Sequence, residues 1–192
     1  MKIGVLAAQG AFAEHIVALH RFDAEAVAIR LPGELKGIEG LIIPGGESTT
    51  ISQLMADYDL MREVTAMAGG GLPVFGTCAG MILIARQISG NTIKSLGLMD
   101  ITVTRNAFGR QVNSFETELV IPALGEKVFP GVFIRAPKIE SCAHNVEVLA
   151  RLTDGTIVAA RQGKLLATAF HPELTEDLRF HRYFLDIVAG DR

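Results

Sequence analysis

The chain has 192 residues, 49% hydrophobic and 20% charged, with 18 basic against 21 acidic residues and a net charge of -3. That length suits one domain, expected over residues 1–192, with a core that needs no disulfide or metal. The weakly acidic balance, without a cluster of Lys and Arg, excludes the footprint of a nucleic-acid binder, and no apolar run reaches the roughly 20 residues of a membrane-spanning helix.

Residues 3–8 are apolar, follow Lys2, and run into Gln9-Gly10 without a cleavage site. They read as a buried first strand rather than a signal peptide, and the cytoplasm is the expected location. Residues 24–29, 41–43 and 72–75 read as further buried strands. Phe12, Ile16, Leu19 and Phe22 fall on one helical face. His15 and His20, five apart, do not share a face and are expected at the surface. Ile51, Leu54, Met55 and Leu60 suggest a second helix, capped by Ser48 or Thr49. A third should follow Cys78 through Met81, Ile82 and Ala85. The alternation implies a parallel sheet covered on both faces.

The second half changes character. Residues 98–104, 116–121, 128–134, 146–152 and 157–169 are strand-like, and several are separated by Gly, Pro or Asn turns. Residues 174–188 read as a closing helix, with Thr175 as cap and Glu176 and Asp177 in its first turn. The expected fold class is α/β: a doubly wound, mainly parallel central sheet flanked by helices, with an antiparallel strand-rich insertion in the second half.

Residues 72–80 read Leu-Pro-Val-Phe-Gly-Thr-Cys-Ala-Gly. The Gly76-x-Cys78-x-Gly80 frame is the thiol form of a nucleophile elbow, a tight strand-to-helix turn that needs small neighbours. It lifts the sulfur to the carboxyl end of the sheet, where open α/β folds bind ligands. The helix N-terminus there favours a thiolate, and the Ala79 amide can face the oxygen of a tetrahedral intermediate. A buried structural cysteine is the plainer alternative. Cys142 has no such frame, and with two cysteines in all, both are expected as free thiols.

A thiol nucleophile needs a base, and the base an orienter. Of the five histidines, His144 sits in a turn-like segment and His181 beside Arg179 and Arg182, where solvent exposure is the default. No pair has metal-ligand spacing. His171 differs, because it ends the apolar run 165–170 and is followed by Pro172-Glu173. Residues two apart in extended chain project to one side, so Glu173 can reach the imidazole. Finally, residues 41–50 form a strand, a Gly45-Gly46 turn and a helix start. Such a turn can cradle a phosphate, but the Lys of a nucleotide loop is missing. The other reading is an amide for an oxyanion hole.

Together these sites resemble class I glutamine amidotransferases and, more narrowly, the glutaminase subunits of pyridoxal 5′-phosphate synthases. The similarity spans Leu6-Ala7-Ala8-Gln9-Gly10-Ala11-Phe12, Pro44-Gly45-Gly46-Glu47-Ser48-Thr49, Gly76-Thr77-Cys78-Ala79-Gly80-Met81, Arg105-Asn106-Ala107-Phe108-Gly109-Arg110-Gln111, Phe133-Ile134-Arg135-Ala136-Pro137 and Phe170-His171-Pro172-Glu173-Leu174. It implies a Cys78-His171-Glu173 triad that hydrolyses L-glutamine through a glutamyl thioester, with an oxyanion hole from Ala79, Gly45 and Gly46. It also implies glutamine contacts from Gly46, Glu47, Ser48, Arg105, Ile134 and Arg135. No metal or organic cofactor is implied. The partner is a synthase subunit that receives the ammonia. Desolvating a free amino acid requires partners for its carboxylate and ammonium. Arg105 and Arg135 are candidates for the first and Glu47 for the second. Rival readings are a glutaminase for another synthase, such as imidazole glycerol phosphate synthase, a partner-independent cysteine hydrolase, and a regulatory module with a vestigial site.

Overall fold

In the computed structural model, which describes residues 1–90, 93–107 and 114–192, the apolar runs of the first half form β1 (Lys2–Leu6), β2 (Glu25–Ile29), β3 (Gly40–Ile43) and β4 (Val74–Thr77). Interleaved with them are α1 (Phe12–His20), α2 (Ser48–Asp57) and α3 (Leu60–Gly69), and α4 (Ala79–Ile84) follows β4. The second half holds β5 (Ala85–Ile88), β6 (Met99–Thr104), β7 (Ser114–Leu119), β8 (Phe129–Ile134), β9 (Lys138–Cys142), β10 (Glu147–Arg151), β11 (Ile157–Gln162) and β12 (Leu165–Thr168). A 3₁₀ turn, Pro172–Leu174, and α5 (Arg179–Ala189) complete the described chain.

Among the described residues, ten strands share one sheet in the order β2-β1-β3-β4-β12-β11-β9-β6-β5, with β10 also paired to β11. The segment β2-β1-β3-β4-β12 is parallel. Its strands are apolar on both faces because both are covered: Ile3, Val5, Leu41, Ile42, Ile43, Val74 and Phe75 are fully buried. The chain leaves β1 for β2 on one side and β3 for β4 on the other. Right-handed crossovers then put α1 on one face and α2 and α3 on the opposite one. α5 shares the α1 face, where Phe180 and Phe184 stack near Phe75 and His181 touches His15. The direction reverses between β1 and β3, so the loops after these strands diverge and leave a crevice at their carboxyl ends.

The expected α/β architecture is present, and the strand-like run 157–169 divides into β11 and β12, the latter parallel to β4. The antiparallel strands are not a separate layer, however. β11, β9 and β6 extend the central sheet, and among the described residues only the β7–β8 pair stands apart. Four local expectations are corrected. Residues 48–69 form two helices, because Asp59 adopts a left-handed conformation (φ 60°) between them. The α2 cap is Glu47, whose carboxylate accepts from the Thr49 and Thr50 amides, rather than Ser48 or Thr49. α4 stops at Ile84, and Ala85 turns extended to pair with Met99. The last helix starts at Arg179, because Thr175 is extended and its hydroxyl closes a turn between Pro172 and Asp177. Among the described residues, no helix is long and apolar enough to cross a membrane.

Candidate active site

β4 ends at Thr77 and α4 begins at Ala79, so Cys78 alone makes the turn, at φ 48° and ψ -103°. Such a backbone costs on the order of 1–3 kcal/mol and persists only when its surroundings enforce it. Here the Cys78 amide donates to the Thr168 carbonyl at 2.8 Å. A side chain at Gly76 would meet the Gly80 carbonyl at 2.6 Å, and one at Gly80 would meet the Ile43 oxygen at 1.9 Å. Both glycines of the motif are therefore required by close approach of the chain to itself. The thiol is mostly covered, with its sulfur 3.8 Å from the Ile134 carbonyl.

His171 arrives from the adjacent strand. Thr168 of β12 lies opposite Thr77 of β4, so the chain leaving β12 passes beside the elbow. The His171 amide is tied to the Val132 carbonyl of β8 at 2.8 Å. Its Nδ1 lies 2.7 Å from Glu173 Oε1, and the Glu173 side chain is fully buried. Burial alone would hold His171 neutral, but hydrogen bonds to Cys78 and Glu173, with their charges, outweigh it and raise its pKa to about 10. Burial also opposes the charge of Glu173, yet the neighbouring His15 and His171 draw its carboxyl below the usual range. An imidazolium held between a sulfur and a carboxylate suits nucleophilic acyl transfer.

These groups open onto a cleft of about 700 Å³ at the carboxyl ends of β1, β3, β4 and β12. Cys78, Ala79, His171, Gly45, Gly46, Glu47, Ser48, Arg105, Ile134 and Arg135 all line it, and Glu173 stands behind His171. One expectation changes. The Gly45 amide donates to Thr77 Oγ1 at 3.1 Å, and the Gly45 carbonyl accepts from Ala11 at 3.1 Å. Both backbone polar groups of Gly45 are thereby engaged within the protein. The alpha carbon of Gly45 matters instead, because a Cβ there would lie 2.2 Å from His171 Cε1.

Glu47 and Arg105, expected to hold opposite ends of an amino acid, face one another at 3.2 Å. Burial opposes the Glu47 charge, but hydrogen bonds from Thr50 and Thr49 prevail and lower its pKa to about 2, so it is anionic at neutral pH. The Phe108 to Gln111 part of the Arg105 motif lies outside the described residues. Among the described residues, no group of three or more His, Cys, Asp or Glu is arranged to hold a metal ion. Cys142 is half-buried at the end of β9 and does not line the cleft. Burial raises its thiol pKa against the opposing charge of Arg151.

Sequence reasoning missed several contributors. Gln9 lines the cleft and accepts from the Glu47 amide at 2.7 Å. Its place just after the first strand, at the reversal of strand order, was a usable signal. His15 and His181, expected at the surface, are fully buried. His15 shares a helical face with Ala18 and Leu19, and His181 with Phe184 and Leu185. The i, i+3, i+4 spacing marks both as inward-facing.

The profile of the SNO glutamine amidotransferase family matches residues 5–189. The pyridoxal 5′-phosphate synthase subunit PdxT of Moorella thermoacetica is 60% identical over 189 residues, covering 98% of this chain and all (100%) of that one. The same subunit of Herpetosiphon aurantiacus is 57% identical over 190 residues, covering 97% and 100%. A crystal structure of a glutamine amidotransferase superposes with a TM-score of 0.92 at 50% identity, covering 97% of this chain and 98% of that one. PurLQS from Thermotoga maritima shares the fold, with a TM-score of 0.68 at 16% identity, covering 96% and 97%. The chain belongs to the SNO glutamine amidotransferase family.

Proposed function

We propose that this protein hydrolyses L-glutamine to L-glutamate and ammonia as the glutaminase subunit of a pyridoxal 5′-phosphate synthase, and delivers the ammonia to a synthase subunit. The observation that carries the reading is Cys78 on a strained elbow beside a His171 anchored 2.7 Å from Glu173, all at one end of a parallel sheet. The names of the 60% and 57% identical relatives supply the choice of synthase.

In the proposed reaction sulfur attacks the side-chain carboxamide carbon while His171 carries the proton as an imidazolium. The developing oxyanion is met by the Ala79 amide, which as the first amide of α4 has no helical partner, and by the Gly46 amide. His171 returns its proton to nitrogen as the C–N bond breaks and ammonia leaves. A water deprotonated by His171 then attacks the glutamyl thioester, releasing glutamate and restoring the thiol. Glu173 stabilises the imidazolium in both halves. Glu47 offers its carboxylate to the substrate ammonium, and Arg105 and Arg135 offer their guanidinium groups to the substrate carboxylate.

The test is release of glutamate and ammonia by the full chain mixed with its synthase subunit. Stoichiometric formation of both is expected. Absence of glutamine turnover in the mixture, or turnover of esters and peptides by the chain alone, would overturn the reading.

A further inference from the structure

The buried side of the triad continues past Glu173. We propose that His15, itself set by His181, is a positioning residue that holds the second carboxylate oxygen of Glu173 and so keeps the carboxylate aligned on His171. This rests on the glutaminase reading for its catalytic meaning, but the contacts stand independently of it.

Glu173 Oε1 is occupied by His171 Nδ1 at 2.7 Å. Oε2 has no close hydrogen bond among the described residues, yet it is fully buried and lies 3.4 Å from His15 Nε2. The same nitrogen lies 3.3 Å from Thr77 Oγ1, which already accepts from the Gly45 amide. On its other side, His15 Nδ1 lies 2.9 Å from His181 Nε2. The far nitrogen of His181, Nδ1, is buried and has no partner among the described residues.

These contacts select one placement of protons. A carboxylate facing His15 Nε2 calls for an N–H there. In a neutral ring that leaves Nδ1 as a lone pair, which must accept from His181 Nε2–H. His181 Nδ1 is then a bare lone pair. The opposite tautomers would turn a lone pair toward the carboxylate and leave a buried N–H at His181 Nδ1 without an acceptor, the costlier defect. Both rings are held neutral. Burial lowers the His15 pKa, with Glu173 opposing, His171 reinforcing and Glu14 opposing. Burial and then His15 lower that of His181 to about 3, with Glu173 opposing.

The chemical point is the neutrality of the donor. A cation at this position would share the Glu173 charge and weaken its hold on the His171 imidazolium. A neutral N–H orients the carboxylate and leaves its charge directed at His171. Without that N–H, Oε2 would be buried bare, and the carboxylate would rotate or take up a proton.

The experiment uses the full chain with ring-labelled histidine, in the wild type and in His15→Leu, His15→Gln and His181→Leu. Each is titrated by NMR at His171 and assayed for glutamine hydrolysis with the synthase subunit. His15→Leu is expected to lower the His171 midpoint by about one unit or more. It should lower kcat about 10- to 100-fold while KM stays within about twofold, as for loss of a hydrogen bond to a charged group. His15→Gln, which keeps an N–H in reach of Oε2, should restore most of both. His181→Leu should shift both in the same direction but less. An unchanged His171 midpoint in His15→Leu, or equal impairment by Leu and Gln, overturns the proposal. If His15→Leu does not fold, an unchanged midpoint in His181→Leu overturns it. Failure of the wild type to hydrolyse glutamine would sink the functional reading alone, because the titration still decides the positioning.

Discussion

The wall of the cleft that carries Cys78 and His171 is built from the loops after β1, β3, β4 and β12, whereas the facing wall, with Arg105, Asn106, Ile134 and Arg135, is built from the ends of β6 and β8. On the first wall Cys78 and His171 are each 6% exposed, and backbone hydrogen bonds to Thr168 and Val132 hold them. On the second, Ile134 is 37% exposed, and the chain bends through positive φ at Asn106 and Arg135. Among the described residues, a backbone bond from the Ala107 amide to the Ala136 carbonyl at 3.0 Å joins its two strand ends. Covalent chemistry needs atoms placed before the substrate arrives, and a close-packed parallel sheet supplies that. Recognition of a small zwitterion needs long charged side chains that reach from a more open surface. Substitutions on the first wall should therefore act on kcat and those on the second on KM.

The largest effect is expected at the elbow. Cys78→Ala should abolish glutamine hydrolysis while circular dichroism and melting remain native, because the side chain is small and its loss opens little space. A glutamine-like electrophile should label Cys78 and spare Cys142, and mass spectrometry finding the label on Cys142 would move the nucleophile off this wall.

Glu173→Gln comes next, with an expected loss of about 10²–10⁴ in kcat and little change in KM. Its pH signature has a definite sign. The raised His171 pKa means that the imidazolium persists up to about 10, so the alkaline limb of the wild-type rate should lie there. The associated stability is fully present below the ordinary histidine value of 6.5 and is lost as pH rises through about 10. In Glu173→Gln the alkaline limb should move down, and the fall in denaturation midpoint across this window should shrink. Unchanged pH profiles would separate Glu173 from His171.

A third effect tests how far the first wall is complete in the isolated chain. The Gly45–Gly46 peptide is held by the bond from the Ala11 amide to the Gly45 carbonyl, and glycine lets it rotate at small steric cost. Binding of the synthase subunit is expected to align the Gly46 amide and raise kcat by about 10²–10³, the worth of one oxyanion donor. Equal kcat at saturating glutamine with and without the subunit would show that the donor is already in place.

On the facing wall, Arg105→Ala should raise KM about tenfold while kcat changes only a few-fold, since an exposed ion contact is lost rather than a reacting group. A kcat collapse at unchanged KM would erase the contrast between the walls. Smallest of all, Cys142→Ala should leave turnover unchanged, because Cys142 lies outside the cleft.

Where a feature depends on neighbours in the chain, it was legible in advance. The elbow is a matter of Gly76, Cys78 and Gly80, and His171 and Glu173 are two residues apart at a strand end. The buried parallel strands announced themselves as short apolar runs, because a strand covered on both faces has no polar positions to alternate. Helix limits were less legible. Whether Thr175 caps α5 or closes a turn, and whether Ala85 ends α4 or starts β5, depends on which partner each finds. The mixed run Lys138–Cys142 becomes β9 only because β6 and β11 lie on either side of it.

By itself, then, the sequence determined the tight turn at Cys78, the His-x-Glu pair and the α/β alternation, all of which rest on sterics and periodicity within a few residues. Tertiary structure alone decided that His15 and His181, 166 residues apart, meet at 2.9 Å behind Glu173, and that Thr77 takes the Gly45 amide. The physical reason is that burial of a polar group is decided by whether a partner from another element satisfies it. That partner is known only once α1 and α5 have packed on the same face of the sheet.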